Sequence, residues 1–240
     1  MLIDFEELDY QQTPLGELSL RRRSEPRLNG KILYEVKLGE EFLMSSLFTD
    51  AEVQLARLGL AGLSGSELDI VVGGLGLGYT AVAVLESPSV RSLNVIEVMA
   101  PVIDWHHRGL VPLGNELISD ARCRLIHADF FELASSPVTG FDGSEVINPV
   151  DAVLLDIDHS PSHWLNPENS AFYSQQGLQK LAGKINSGGI FGLWSNDPPE
   201  AGFLGLLDKV FESTQSHIVT FPNPYTGAES SNTVYLARKA

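Results

Sequence analysis

The stretch Asp69-Ile-Val-Val-Gly-Gly-Leu-Gly-Leu-Gly-Tyr-Thr80 decides the fold. Ile70 to Val72 is a short apolar run that reads as a buried strand. Glycines follow at 73, 74, 76 and 78, and a helix-like run extends from Thr80 to Leu85. A strand that turns through glycines into a helix leaves backbone N–H groups and a positive helix end directed at one spot. Glycine supplies the turn and lets a ligand approach the backbone closely. The stretch therefore reads as a cradle for a nucleotide-type cofactor, with Gly73, Gly74, Gly76 and Gly78 against the ligand.

Downstream of this cradle the chain alternates. Strands are predicted at 69–73, 93–97, 123–128, 151–156 and 188–194. Helices are predicted near 79–86, 99–107, 114–119, 170–184 and 200–212. Such alternation implies a parallel sheet with helices on both faces. The rhythm breaks at the end, where Ser216 to Phe221 and Thr233 to Ala237 are strand-like runs joined by the turn region 222–232. A parallel sheet closed by an antiparallel hairpin is the mark of the class I S-adenosylmethionine-dependent methyltransferase fold, a Rossmann-like α/β architecture. Upstream, residues 1–48 read as a small β-rich element with candidate strands at Leu18 to Leu20, Ile32 to Val36 and Phe42 to Phe48. Thr49-Asp50-Ala51-Glu52 then has the spacing of a capping box at a helix start. The predicted division is thus 1–48 and 49–240.

In open α/β sheets the ligand lies beyond the carboxyl ends of the strands. The second strand of the parallel series ends in Glu97, about twenty residues past the glycines, where a carboxylate can accept from both ribose hydroxyls. The third leads into Asp129, placed to accept from an adenine amino group. Either acid also suits a helix cap or a solvent-facing position. Glycines, Glu97 and Asp129 at successive strand ends together indicate an adenosyl cofactor. The fourth strand ends in Asp156 and Asp158, two apart on an extended segment and so directed to one side. Two nearby carboxylates push one pKa upward, which suits a base, and they can hold an ammonium between them. Asp158 also suits a cap for the turn before Pro161. Trp164 in the same loop reads as a packing or lid element.

Composition narrows the partners. The formal net charge of −15 over 240 residues argues against nucleic acid, which calls for a basic face, and favours a small cationic substrate. Arg21-Arg22-Arg23 reads as a solvated edge, and Trp105-His106-His107-Arg108 as a helix end with exposed basic groups. Asn223-Pro224-Tyr225 reads as a turn, and Asn196-Asp197-Pro198-Pro199 as a turn at the pocket rim. The single cysteine, Cys123, excludes an internal disulfide and a cysteine-cluster metal site, and no metal is expected. No apolar run is long enough to span a bilayer. The acidic N-terminus lacks the pattern of a secretory signal, so the expected location is cytoplasmic.

Taken together these residues resemble the spermidine synthase family of polyamine aminopropyltransferases. The similarity runs from about 30 to 210 and is strongest over 69–198. It rests on the glycine loop followed by Val84-Leu85-Glu86-Ser87-Pro88-Ser89-Val90, and on Val95-Ile96-Glu97-Val98. It continues through Asp120-Ala121-Arg122 with Asp129, the strand 151–156, Ala171-Phe172-Tyr173 and Ser187-Gly188-Gly189-Ile190-Phe191. The resemblance implies that Asp156 deprotonates an attacking amine such as putrescine, which displaces methylthioadenosine from decarboxylated S-adenosylmethionine. It implies that Asp158 helps hold the amine, and it admits a homodimer. Three departures stand out. Leu77 occupies the place of the family's loop Asp, which favours an aminopropyl amine over a carboxylate. The second loop acid comes two residues after the first instead of three. Thr49-Asp50-Ala51-Glu52-Val53 replaces a Tyr-His-Glu helix. Two further readings therefore stay open: methyl transfer from S-adenosylmethionine to an unknown acceptor, and a catalytically inactive binding protein of the same fold.

Overall fold

A computed structural model describes residues 5–240. The described residues form two sheets with flanking helices. The first is antiparallel, in the order β1 (Glu6–Thr13), β2 (Gly16–Glu25), β3 (Lys31–Leu38) and β4 (Glu41–Ser45). The second has seven strands in the order β10-β11-β9-β8-β5-β6-β7. Its parallel part comprises β5 (Leu68–Gly73), β6 (Val90–Glu97), β7 (Cys123–His127), β8 (Val150–Leu155) and β9 (Ile185–Ser195). The hairpin of β10 (Ser213–Asn223) and β11 (Ala228–Arg238) closes it antiparallel to β9.

Both faces of the large sheet are covered, so its central strands are apolar on both sides. Ile70, Val72, Leu93, Val95 and Leu154 point into one core, under α1 (Asp50–Ala61), α2 (Tyr79–Leu85) and α3 (Ala100–His107). Their neighbours Val71, Ile96, Val153 and Leu155 point into the other with Phe130, Phe172 and Phe191. That second core lies under α5 (Phe130–Ser135), α6 (Gln175–Ala182) and α7 (Ala201–Leu207), while α4 (Gly114–Ser119) packs beside α3. Because β5 pairs with β6 on one side and with β8 on the other, the chain direction of the crossovers reverses there. The crevice at the carboxyl ends of β5 and β8 is the ligand position such sheets provide.

Several sequence expectations change. The helix expected over 170–184 divides into a 3-10 turn, Pro167–Ala171, and α6, because the Ser174 hydroxyl accepts from the Gly177 N–H and starts a new helix. The helix of 200–212 ends at Leu207. The hairpin strands run longer than 216–221 and 233–237, since cross-strand pairing continues to Asn223 and Ala228. Thr49 makes no side-chain cap, so the capping box is not formed.

The arginine run is not a solvated edge. Arg21 and Arg23 each donate through Nε to the buried Glu35 carboxylate, at 2.8 and 2.9 Å. Arg23 also donates to Glu25 (2.7 Å) and to the Tyr225 hydroxyl (2.9 Å), which in turn donates to Glu25 (2.9 Å). Tyr225 sits in the β10–β11 turn, so this network ties the small sheet to the terminal hairpin. The Phe48 ring packs on Phe221 and Tyr225 in the same seam. Trp105 and His106 are likewise buried, not exposed at a helix end; Trp105 Nε1 donates to Asp9 of β1 at 2.7 Å.

Candidate active site

Between the two sheets, over the carboxyl ends of β5, β6 and β8, lies a cavity of about 850 Å³. Its floor is the glycine turn. Gly73 O accepts from the Asp156 N–H (2.8 Å) and Gly74 N donates to Ile96 O (2.9 Å), which fixes the turn to both neighbouring strands. Gly74 has φ +95°, and a Cβ there would overlap the Asp156 carbonyl oxygen, so no other residue fits without moving the β8 end. His106 buttresses the turn from behind. Its Nε2 lies 2.9 Å from Gly76 O, and a carbonyl only accepts, so Nε2 carries the proton. Burial lowers the His106 pKa.

Glu97 closes β6 on the cavity wall, 6% exposed. Oε2 accepts from Leu75 N (3.0 Å) and Oε1 from Met99 N (2.8 Å). Burial raises its pKa, while the surrounding backbone N–H groups oppose the rise. Each oxygen retains capacity for a further donor, as paired hydroxyls require. Asp129 also lines the cavity, and it caps α5: Oδ1 accepts from Phe131 N (2.7 Å) and Glu132 N (3.1 Å). The helix cap of the sequence reading is formed through Oδ1, and the same residue lines the cavity.

Asp156 reaches the cavity one residue beyond β8. Its Oδ2 accepts from the Thr80 hydroxyl at 2.7 Å, and burial pushes the carboxyl up to about 6 against that hydrogen bond. Asp158 does not join it. Its carboxylate is buried away from the cavity lining and accepts from Leu165 N (2.8 Å), Asn169 Nδ2 (3.2 Å) and the Tyr173 hydroxyl (2.8 Å). The extended geometry that would align the two acids ends at Leu155, and the chain turns before Asp158. This acid holds the 158–173 loop together. Trp164 belongs to the same packing: Nε1 donates to Pro161 O (2.8 Å) and the ring stacks on Tyr173.

A second carboxylate does reach the cavity beside Asp156, from an element that sequence reading assigned to a cap. Glu52 lies on α1 with Leu55, Ala56 and Gly59, the buried stripe of that helix. The spacing i, i+3, i+4, i+7 marks it: an acid on an apolar stripe signals a buried role. Its Oε2 is buried without a hydrogen-bond partner among the described residues. Burial, then the Asp156 charge, raises the Glu52 pKa well above the usual range. The opposite wall comes from the small sheet, the end of β9 and the hairpin, with Met44, Phe48, Trp194 and Phe221 giving apolar surface and Asn196 and Asn232 beside them. At the mouth, His159 Nε2 contacts Glu41 Oε1 at 2.7 Å, strapping the loop after β8 to β4.

Replacing Glu97 by Ala removes the acceptor for two backbone donors and for any ribose hydroxyls. The expected result is a loss of about 1–3 kcal/mol in affinity for an adenosyl ligand, read by calorimetry.

Strand order, glycine turn and strand-end acids define a class I methyltransferase-like fold carrying an N-terminal antiparallel sheet. No family model and no curated protein matches the sequence. Solved structures do: the chain superposes on spermidine synthase from Thermotoga maritima with a TM-score of 0.73 at 18% identity, covering 98% of this chain and 73% of that one. A spermidine synthase in complex with the transition state analogue AdoDATO gives a TM-score of 0.74 at 17% identity, covering 98% and 74%. The fold is a spermidine synthase-like one. Among the described residues, no helix is long and apolar enough to cross a membrane, and no group of three or more His, Cys, Asp or Glu is placed to hold a metal ion.

Proposed function

We propose that this chain is an aminopropyltransferase that moves the aminopropyl group of decarboxylated S-adenosylmethionine to an amine of the polyamine class, such as putrescine. The observation that carries the reading is Asp156: a carboxylate on the cavity floor, fixed by Thr80, with a pKa pushed up to about 6. A base of that strength is ionised at neutral pH yet strong enough to take a proton from an amine under attack. Glu97 receives the ribose hydroxyls and Asp129 the adenine amino group, with the glycine turn beneath. The small sheet walls the acceptor side and the large sheet with its helices supplies the catalytic part.

The reaction is a single in-line displacement. The amine nitrogen forms a bond to the aminopropyl carbon next to sulfur, and the carbon–sulfur bond breaks. Its electron pair stays on sulfur, which leaves as the neutral thioether methylthioadenosine. The proton lost by nitrogen goes to Asp156. Positioning of the two reactants supplies most of the acceleration, because the sulfonium is already a good leaving group. The likeness of the fold to a spermidine synthase held with the transition state analogue AdoDATO supports the transferase reading.

A second reading is favoured by one residue. Leu77 is 3% exposed and lines the cavity where the resemblance would place an Asp, so that position offers no charge to an aminopropyl ammonium. Methyl transfer from S-adenosylmethionine is the corresponding activity. The test is incubation with decarboxylated S-adenosylmethionine and putrescine, with spermidine and methylthioadenosine quantified by mass spectrometry. Formation of both in equal amounts is expected; no product under conditions where the protein is folded contradicts the proposal. The pH dependence follows from Asp156. Corrected for ionisation of the amine, kcat/KM is expected to be level above about pH 7 and to fall about tenfold per unit below about pH 6 as the base is protonated. A profile flat from pH 5 to 8 removes Asp156 from the role.

A further inference from the structure

We propose that Glu52 on α1 is the second acid of the acceptor site, and that the reacting ammonium end of the amine is seated between Glu52 and Asp156. The inference rests on the transferase reading for the identity of the amine, but the cation site itself is argued from geometry.

Three observations point there. First, Glu52 Oε2 is a buried acceptor on the cavity with no partner among the described residues, and a buried polar atom normally has one. Second, the Thr80 hydroxyl lies 2.7 Å from Asp156 Oδ2 and 3.3 Å from the Glu52 main-chain oxygen, so one side chain joins the two acids' supports. Third, Asp158, the other acid of the loop, has its carboxylate saturated by Leu165, Asn169 and Tyr173 and does not line the cavity.

Two carboxylates that line one cavity disfavour each other's ionised form, and a cation between them relieves that repulsion. An alkylammonium carries three N–H donors and one positive charge, which satisfies the orphaned Glu52 oxygen and Asp156 together. The apolar surface of Phe48, Trp194 and Phe221 then lies along the methylene chain. Asp156, fixed by the Thr80 hydroxyl, then takes the proton of the attacking nitrogen.

The experiment is calorimetric titration of putrescine into the full-length protein, with and without saturating methylthioadenosine, for wild type, Glu52→Gln and Glu52→Asp. Wild type is expected to bind the diamine, Glu52→Gln to bind it at least tenfold more weakly, and Glu52→Asp to fall between. Methylthioadenosine affinity should stay within about twofold in both variants, which also shows that they are folded. Equal diamine affinity in wild type and Glu52→Gln, or no diamine binding by wild type, overturns the site. If wild type binds the diamine through Glu52 but takes up no methylthioadenosine, the ammonium site stands and the adenosyl reading fails.

Discussion

Asp156→Asn is expected to lower turnover by about 10²–10⁴-fold, the range that a positioned base contributes, while methylthioadenosine affinity stays within a few-fold. Asn keeps an oxygen for the Thr80 hydroxyl at the position now held by Oδ2, so the floor of the cavity is preserved and only the proton acceptor is lost. The same change should stabilise the empty protein. The folded-state pKa of Asp156 is raised to about 6 from an ordinary value near 3.8, and Glu52 is raised as well. Groups shifted upward contribute stability that is fully present below the unfolded pKa and disappears as pH rises through the folded one. Wild type is therefore expected to lose stability between about pH 4 and pH 7. Asp156→Asn should exceed it at pH 8 by about 1–3 kcal/mol, with the gain vanishing near pH 4. Urea unfolding at the two pH values reads this directly. Equal stability at pH 8, or turnover within a few-fold of wild type, contradicts the assignment.

Gly74→Ala is expected to be the most damaging single methyl that this chain can receive near the site. The residue sits at φ +95°, and the added Cβ meets the Asp156 carbonyl oxygen, which is main chain and cannot rotate away. Ile157 Cγ1 lies 3.1 Å from the same point. Backbone strain and overlap together should cost at least about 3 kcal/mol. Relief requires displacing the end of β8, so any folded fraction should also show Asp156 out of place and little turnover. A melting temperature within a few degrees of wild type, with adenosyl affinity retained, shows that the turn is looser than its geometry.

The parallel sheet was legible because its strands are apolar on both faces and its first crossover breaks into glycines. Ile70 to Val72, Val95 with Ile96 and Ala152 to Leu155 carry that signal without help from the rest of the fold. β1 was not legible. Its sequence, Glu6-Glu-Leu-Asp-Tyr-Gln-Gln-Thr13, is polar nearly throughout, and it is a strand because β2 pairs with it at an exposed edge. α5 was also not legible: Asp129 suits a helix cap, but the helix it starts is only six residues long, too short to show an apolar period. At the site, Glu97 and Asp129 were readable from strand ends, and the structure carries both to the cavity. Asp158 was not, since two residues of apparent extension past β8 belong to a loop. Glu52 was hidden by a capping pattern that its own helix face contradicts. Contacts between distant segments, such as Arg23 with Tyr225, have no local sequence signature at all.

Leu77 is the residue on which the two transfer chemistries divide, and it concerns the cofactor before any acceptor is known. Calorimetric titration of the purified protein with S-adenosylmethionine, its decarboxylated form and methylthioadenosine in parallel addresses it directly. Tighter binding of the decarboxylated form and of methylthioadenosine than of S-adenosylmethionine is the expected result. Preference for S-adenosylmethionine would contradict aminopropyl transfer in favour of methyl transfer, and binding of none of the three would contradict the adenosyl site itself.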